Sequence, residues 1–181
     1  MTGVDRLLQR FRARMAVAHV PMGARLLDIG CADGVFLRLA APRVRDAVGI
    51  DPDATPSAGP PRIIRGRFPD DFHEPGPFDA IVLLATLEHV SDADMPRFIE
   101  KIRRLLRPGG RVIITVPVPG VDRIVDVLRT LHLAHGMDIS GHHGYRPEET
   151  PSRFRGFRLL KHQPFELGFN HLFVLELPAA S

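Results

Sequence analysis

The chain has 181 residues, 44% of them hydrophobic and 25% charged, a balance that excludes a disordered or fibrous protein and a length that suits one buried core. Its 24 basic and 21 acidic residues leave a net charge of +3, too even a mixture to argue for nucleic acid as a partner. One cysteine, Cys31, permits no internal disulfide, and with no apolar run of about 18 residues and no basic-then-apolar leader the expectation is a single cytoplasmic domain over residues 1–181.

The first twenty residues read as an amphipathic helix. Over Val4–His19 the residues Val4, Leu8, Phe11, Met15 and Ala18 share one side, and Arg6, Arg10 and Arg14 another. Three uses fit such a helix: packing on the domain, covering a ligand pocket, or contact with a membrane surface. Strand-length apolar runs then alternate with helical periods, the pattern of βαβ units and a parallel sheet. The strands are expected at Arg25–Ile29, Ala47–Ile50, Arg62–Arg65, Phe78–Leu84, Arg111–Val116, Phe157–Pro164 and Leu172–Leu177.

A helix should open at about Val35. Pro52–Pro61, with four prolines and a glycine, leaves no room for more than a turn between the second and third strands. Asp94–Leu106 sets Phe98, Ile99, Ile102, Leu105 and Leu106 on one face, with Ser91 and Asp94 spaced as a capping box and Arg107-Pro108-Gly109-Gly110 as the stop. Val121–Leu131 reads as a second core-facing helix, after the breaker run Pro117-Val118-Pro119-Gly120. Phe165–His171 is too short for a crossover, so the last two strands should pair antiparallel. The fold class is therefore α/β, a sheet mixed at one edge.

The stretch Asp28-Ile29-Gly30-Cys31-Ala32-Asp33-Gly34 ends the first strand in a turn of small residues, which lets backbone amides approach a ligand closely. A dinucleotide fingerprint would need glycine at 30, 32 and 35, where the chain has Gly30, Ala32 and Val35, and a P-loop would need a lysine that is absent. The stretch resembles instead the first motif of the class I S-adenosylmethionine-dependent methyltransferases, an acidic residue followed by Gly-x-Gly-x-Gly, with alanine at the central glycine. The resemblance continues in register through Val48-Gly49-Ile50-Asp51, Phe78-Asp79-Ala80-Ile81-Val82, Leu87-Glu88-His89-Val90 and Leu106-Arg107-Pro108-Gly109-Gly110-Arg111, and covers about Arg25–Pro117.

The resemblance implies a doubly wound, Rossmann-like sheet in the order 3-2-1-4-5-7-6 and S-adenosylmethionine as the cofactor. It gives Gly30, Ala32 and Gly34 the cofactor turn, Asp51 with Pro52 the ribose hydroxyls, and Asp28 the cationic amino end of methionine. Taken alone, Asp51 before a proline is also a turn starter, and Asp28 a charge partner for a helix N-terminus. Gly66, Arg67 and Phe68 fall where the family receives adenine. Arg67 stands where an acidic acceptor is usual and cannot accept a hydrogen bond, which leaves Asp70 or Asp71 to take over or Phe68 to pack on the ring. Leu84 and Ala85 should line the methionine end through backbone groups.

His89 lies where the family places the transferable methyl, so its imidazole could take a proton from a hydroxyl acceptor. A histidine at a helix start also commonly just bonds backbone. The histidines His132, His135, His142 and His143 around Asp138 fit no closed zinc spacing. Residues 136–149 read better as a glycine-hinged loop on the acceptor side, with His142, His143 and Tyr145 as acceptor contacts. The function implied is methyl transfer to a small-molecule acceptor, in the manner of the ubiquinone-pathway O-methyltransferases. The rival is a non-catalytic, regulatory S-adenosylmethionine-binding protein of the same fold.

Overall fold

A computed structural model describes residues 3–118 and 145–179, with side chains from residue 9 onward. The strands are β1 (Ala24–Ile29), β2 (Val44–Asp51), β3 (Arg62–Arg65), β4 (Phe78–Leu84), β5 (Leu106–Pro117), β6 (Arg158–Phe165) and β7 (Asn170–Glu176). Among the described residues they form one sheet in the order β3-β2-β1-β4-β5-β7-β6. Strands β1 to β5 pair in parallel, and β7 runs antiparallel to both β5 and β6. The expected fold class and order are what the sheet has.

Successive side chains of a strand point to opposite faces, so central strands covered on both sides must be apolar throughout. Leu26, Ala80, Val82, Ile113, Leu172 and Val174 form one buried face with Ala13, Ala16, Phe36 and Leu37. Leu27, Ile29, Ile81, Leu83, Val112, Ile114 and Phe173 form the other with Met95, Phe98 and Ile102. Fully burying each large apolar side chain contributes about 1.5–3 kcal/mol, and that sum is what holds the strand ends in place.

The helices are α1 (Gly3–Val17), α2 (Val35–Ala40), α3 (Met95–Leu105) and α4 (Thr150–Arg153). Helix α1 forms where expected, and of its expected apolar side Met15 packs against the core while the side chains of Val4 and Leu8 lie outside those described. Ala13 and Ala16 are buried, whereas Phe11 is 44% exposed and Ala18 also faces out. Small residues bring the helix close to the layer beneath, and bulky Phe11 is left at the margin, its ring 6.1 Å from Phe165. Ahead of α3, Ser91 makes half of the expected capping box: the Asp94 N–H donates to its Oγ (3.2 Å), and the Ser91 hydroxyl in turn donates to Asp94 Oδ2 (2.6 Å).

The run Arg107-Pro108-Gly109-Gly110 does not separate helix from strand as a turn. It already belongs to β5, where the Gly109 N–H donates to Leu177 O (2.7 Å) and the Leu177 N–H to Gly110 O (2.9 Å). No helix intervenes between β2 and β3, only a bridge from Ser57 to Ile63. The expected helix Val121–Leu131, the histidine cluster from His132 to His143, and most of the loop 136–149 lie outside the described residues. No helix among the described residues is long and apolar enough to cross a membrane.

Candidate functional site

At the carboxyl ends of β1, β2 and β4 three chain reversals meet. The N–H groups of Gly30 and Cys31 both donate to Ile50 O (2.9 and 3.3 Å), tying the turn after β1 to the end of β2. Gly30 has φ +79°, and a Cβ there would overlap the side chain of Thr86, so both the backbone and its neighbour demand glycine. Ala32 also sits in the left-handed region, at φ +45°. Its N–H donates to Asp51 Oδ2 (3.0 Å), and the Asp53 N–H donates to Asp51 Oδ1 (2.8 Å). Gly34, at φ +73°, opens α2. The amino-terminal helix reaches this turn through Gln9, whose amide donates to Asp33 Oδ1 (3.2 Å).

Asp28 stands on β1 just before the turn, 1% exposed, and its Oδ2 meets no hydrogen-bond donor among the described residues. Burial first, and then the nearby Asp51 charge, push its carboxyl up to about 8. An acid so placed favours its proton unless a cation comes to it.

These turns border a cleft of about 250 Å³, lined among others by Gly30, Pro52, Gly66, Phe68, Thr86 and His89. The Gly66 N–H donates to Asp51 O (3.1 Å). Asp71 folds beneath Gly66 and accepts the Arg67 N–H (2.7 Å), while Asp70 takes two bonds from Arg97 (2.5 and 3.1 Å) at the cleft wall. Arg67 also lines the cleft. Phe68 meets Phe98 edge-on, ring centres 5.0 Å apart, which fixes the apolar end. Two larger hollows, of about 630 and 340 Å³, lie along the outer side of α3. Their walls are salt-bridged surface side chains, such as Arg153 with Asp92 and Arg97 with Asp70, and neither is at a strand end.

Beyond β4, Ala85 adopts φ +53° and its N–H donates to Thr115 O (3.0 Å) and Oγ1 (3.2 Å). The 3-10 turn Leu87–His89 follows, with Glu88 buried and His89 exposed on the cleft wall. The His89 N–H donates to Thr86 O (3.1 Å). Tyr145 is buried in the core with its hydroxyl donating to Thr150 Oγ1 (2.9 Å) and Arg153 over its ring. Burial pushes its phenol up to about 12, so it is a donor at neutral pH. His142 and His143 lie outside the described residues. Gly30, Pro52, Gly66, Arg67, Phe68 and His89 thus share one cleft, with Ala32, Gly34 and Asp51 in the turns behind it and Asp28 and Leu84 at the strand ends.

Four more residues stand on the cleft wall: Ser91 and Asp94, expected only as a helix cap, and Thr86 and Arg97, to which the sequence assigned no role. A threonine after a strand carries no distinguishing signal. Arg97, three residues past Asp94 on one helix face, was within reach of charge spacing.

A model of a family described as a methyltransferase domain matches residues 2–153. The ubiquinone biosynthesis O-methyltransferase of Mesorhizobium japonicum is 30% identical over 120 residues, 61% of this chain and 47% of that protein. The nocamycin O-methyltransferase of Saccharothrix syringae is 32% identical over 132 residues, 65% of this chain and 46% of that one. The chain therefore spans just under half the length of these relatives. Among solved structures, the Burkholderia thailandensis 1,6-didemethyltoxoflavin-N1-methyltransferase, with 1,6-didemethyltoxoflavin and S-adenosylhomocysteine bound, superposes with a TM-score of 0.66. It is 16% identical and covers 94% of this chain and 78% of its own, a likeness of fold.

Proposed function

We propose that this chain, which belongs to the methyltransferase-domain family, binds S-adenosylmethionine in the cleft at the ends of β1, β2 and β4 and passes its methyl group to a hydroxyl of a small-molecule acceptor. The observation that carries the reading is Asp28, a buried carboxyl with an oxygen lacking any donor among the described residues. Leaving such a group unpaired costs about 1–3 kcal/mol. A ligand ammonium at the strand end offsets that cost by meeting the ionised acid in a charge-assisted bond.

The other groups fit the same ligand. Each Asp51 oxygen holds one backbone N–H, and a carboxylate with about four acceptor sites keeps capacity for both hydroxyls of a ribose. Gly30 and Gly66 leave the backbone bare along the cleft, and Phe68 offers it an apolar ring. Arg67 supplies no acceptor for the exocyclic amine of adenine, and we assign that task to Asp70, which Arg97 holds at the cleft wall.

When bound, S-adenosylmethionine supplies a methyl group on a sulfonium, whose sulfur keeps the bonding electron pair on transfer. The chain's own part is to hold the acceptor in line and take its proton. His89, exposed on the cleft wall, is the residue we assign to that proton. Tyr145, with its hydroxyl on Thr150, is assigned to anchoring the segment before α4 rather than to touching the acceptor. The names of the two curated relatives, both O-methyltransferases, support oxygen as the acceptor atom.

The test is transfer of radiolabelled methyl from S-adenosylmethionine across a panel of phenolic and alcoholic acceptors. Label in an ether product, with turnover in His89→Ala lowered by about 10²–10⁴ and cofactor affinity kept, is the expected result. Tight cofactor binding without label in any acceptor class would return the non-catalytic reading. Full activity in His89→Ala would remove the base assignment.

A further inference from the structure

We infer that Thr86 is a positioning residue for the amino-acid end of the cofactor, acting through the carbonyl group of Leu84; the inference rests on the cofactor reading above. Its hydroxyl donates to Ile29 O (3.1 Å) and, more weakly, to Leu84 O (3.4 Å). Ile29 is the last residue of β1 and Leu84 the last of β4, neighbouring parallel strands whose pairing ends at Ile29 and Leu83. One side chain therefore bridges two strand ends just where the sheet's own ladder stops.

The same side chain closes the space above Gly30, where a Cβ would overlap Thr86 Oγ1 and crowd its Cγ2. It follows directly on Ala85, held in the left-handed region at φ +53° by the bonds of its N–H to Thr115 on β5. Two threonines thereby tie the ends of β1 and β4 to each other and the residue after β4 to β5. A non-glycine residue in that backbone region is strained, and it persists only where its surroundings over-determine it. The Leu84 carbonyl has two lone pairs. Thr86 approaches one, and on the cofactor reading the other is assigned to the ammonium that Asp28 meets. Valine at position 86 keeps the shape but not the proton, so the Leu84 and Ile29 carbonyls lose their orienting donor.

The test compares two probes by calorimetry, S-adenosylhomocysteine and 5′-methylthioadenosine, which is the same nucleoside thioether without the amino-acid end. Thr86→Val is expected to weaken S-adenosylhomocysteine about tenfold or more, as for loss of a hydrogen bond to a charged group, and to leave methylthioadenosine within about twofold. Thr86→Ser, which keeps the hydroxyl, is expected to bind both as the parent does. It also keeps the test alive if the valine variant fails to fold. Equal losses for both probes in Thr86→Val, or a selective loss in Thr86→Ser, would overturn the positioning role while the cofactor reading stands. A parent protein that binds neither probe overturns the cofactor reading and this inference with it.

Discussion

Asp28 is a carboxyl whose surroundings favour the proton. Its folded value is raised to about 8 by burial and by Asp51, above the unfolded one. The folded state therefore binds more protons than the unfolded state between roughly pH 4 and 8, and the ligand-free protein loses stability as pH rises through that window. Asp28→Asn keeps the shape and removes the titration. Across this window the parent's melting temperature is expected to fall relative to the variant's, while the variant's affinity for S-adenosylhomocysteine drops. A parent melting temperature that rises from pH 5 to 8, with the variant unchanged from it, would contradict the assignment. Ala32 gives a second expectation at this scale. In the sequence it is one methyl too many for the motif, and in the fold it takes φ +45°. Left-handed geometry costs a non-glycine residue about 1–2 kcal/mol, and glycine loses about 0.5–1 kcal/mol in unfolded-state freedom. Ala32→Gly should melt at or slightly above the parent temperature with cofactor affinity kept; a fall of several degrees would mean that the methyl has a packing role. Both residues were legible because their motif is contiguous. Thr86 was not, because it acts through carbonyls that any residue carries, and of Arg97 the spacing to Asp94 gave only the local pair, its bond to Asp70 spanning 27 residues.

Helix α1 illustrates what periodicity leaves open at the level of the element. The repeat of apolar residues gives the helix, and its extent differs from expectation by a residue or two. It does not give the face, because a side chain's hydrophobicity is silent about whether the contact has room for it. Ala13 and Ala16 win over Phe11 for that reason. Ala16→Leu, at a fully buried position, is expected to destabilise the fold by about 1–3 kcal/mol through overpacking, whereas Phe11→Ser, at the margin, should change it by well under half of that in denaturant unfolding. Equal effects would mean that Phe11 carries as much of the contact as Ala16. The strands were more legible than the helices. Two-sided burial makes β1, β4 and β5 continuous apolar runs, while the start of β5 through Arg107-Pro108-Gly109-Gly110 was hidden by residues that ordinarily break structure.

Across the whole molecule the two ends of the sheet do different work. At the amino ends of the strands, Asp79 accepts the Arg25 N–H (2.7 Å) and pairs with Arg107 (2.5 Å) and Arg45 (3.0 Å). Its partial burial alone would raise the carboxyl, but these three donors outweigh it and hold the group below its ordinary value. With the folded value depressed, the stabilisation is present above the unfolded carboxylate range and is lost as pH falls through the folded value. Asp79→Asn is expected to cost about 1–2 kcal/mol at neutral pH, reduced by the exposure of both side-chain arginine partners, with no change in ligand affinity because the site is at the opposite ends of the strands. At the carboxyl ends, Asp28 has an oxygen without a donor among the described residues and Ala32 and Ala85 hold left-handed backbone beside the cleft. The measurement that tests this division most directly is calorimetric titration of S-adenosylhomocysteine into the parent, Asp51→Ala and Asp79→Asn. Saturable binding by the parent, weakened about tenfold or more in Asp51→Ala and unchanged in Asp79→Asn, is the predicted result. A parent that takes up no ligand, or an Asp51→Ala variant that binds as tightly as the parent, would contradict it.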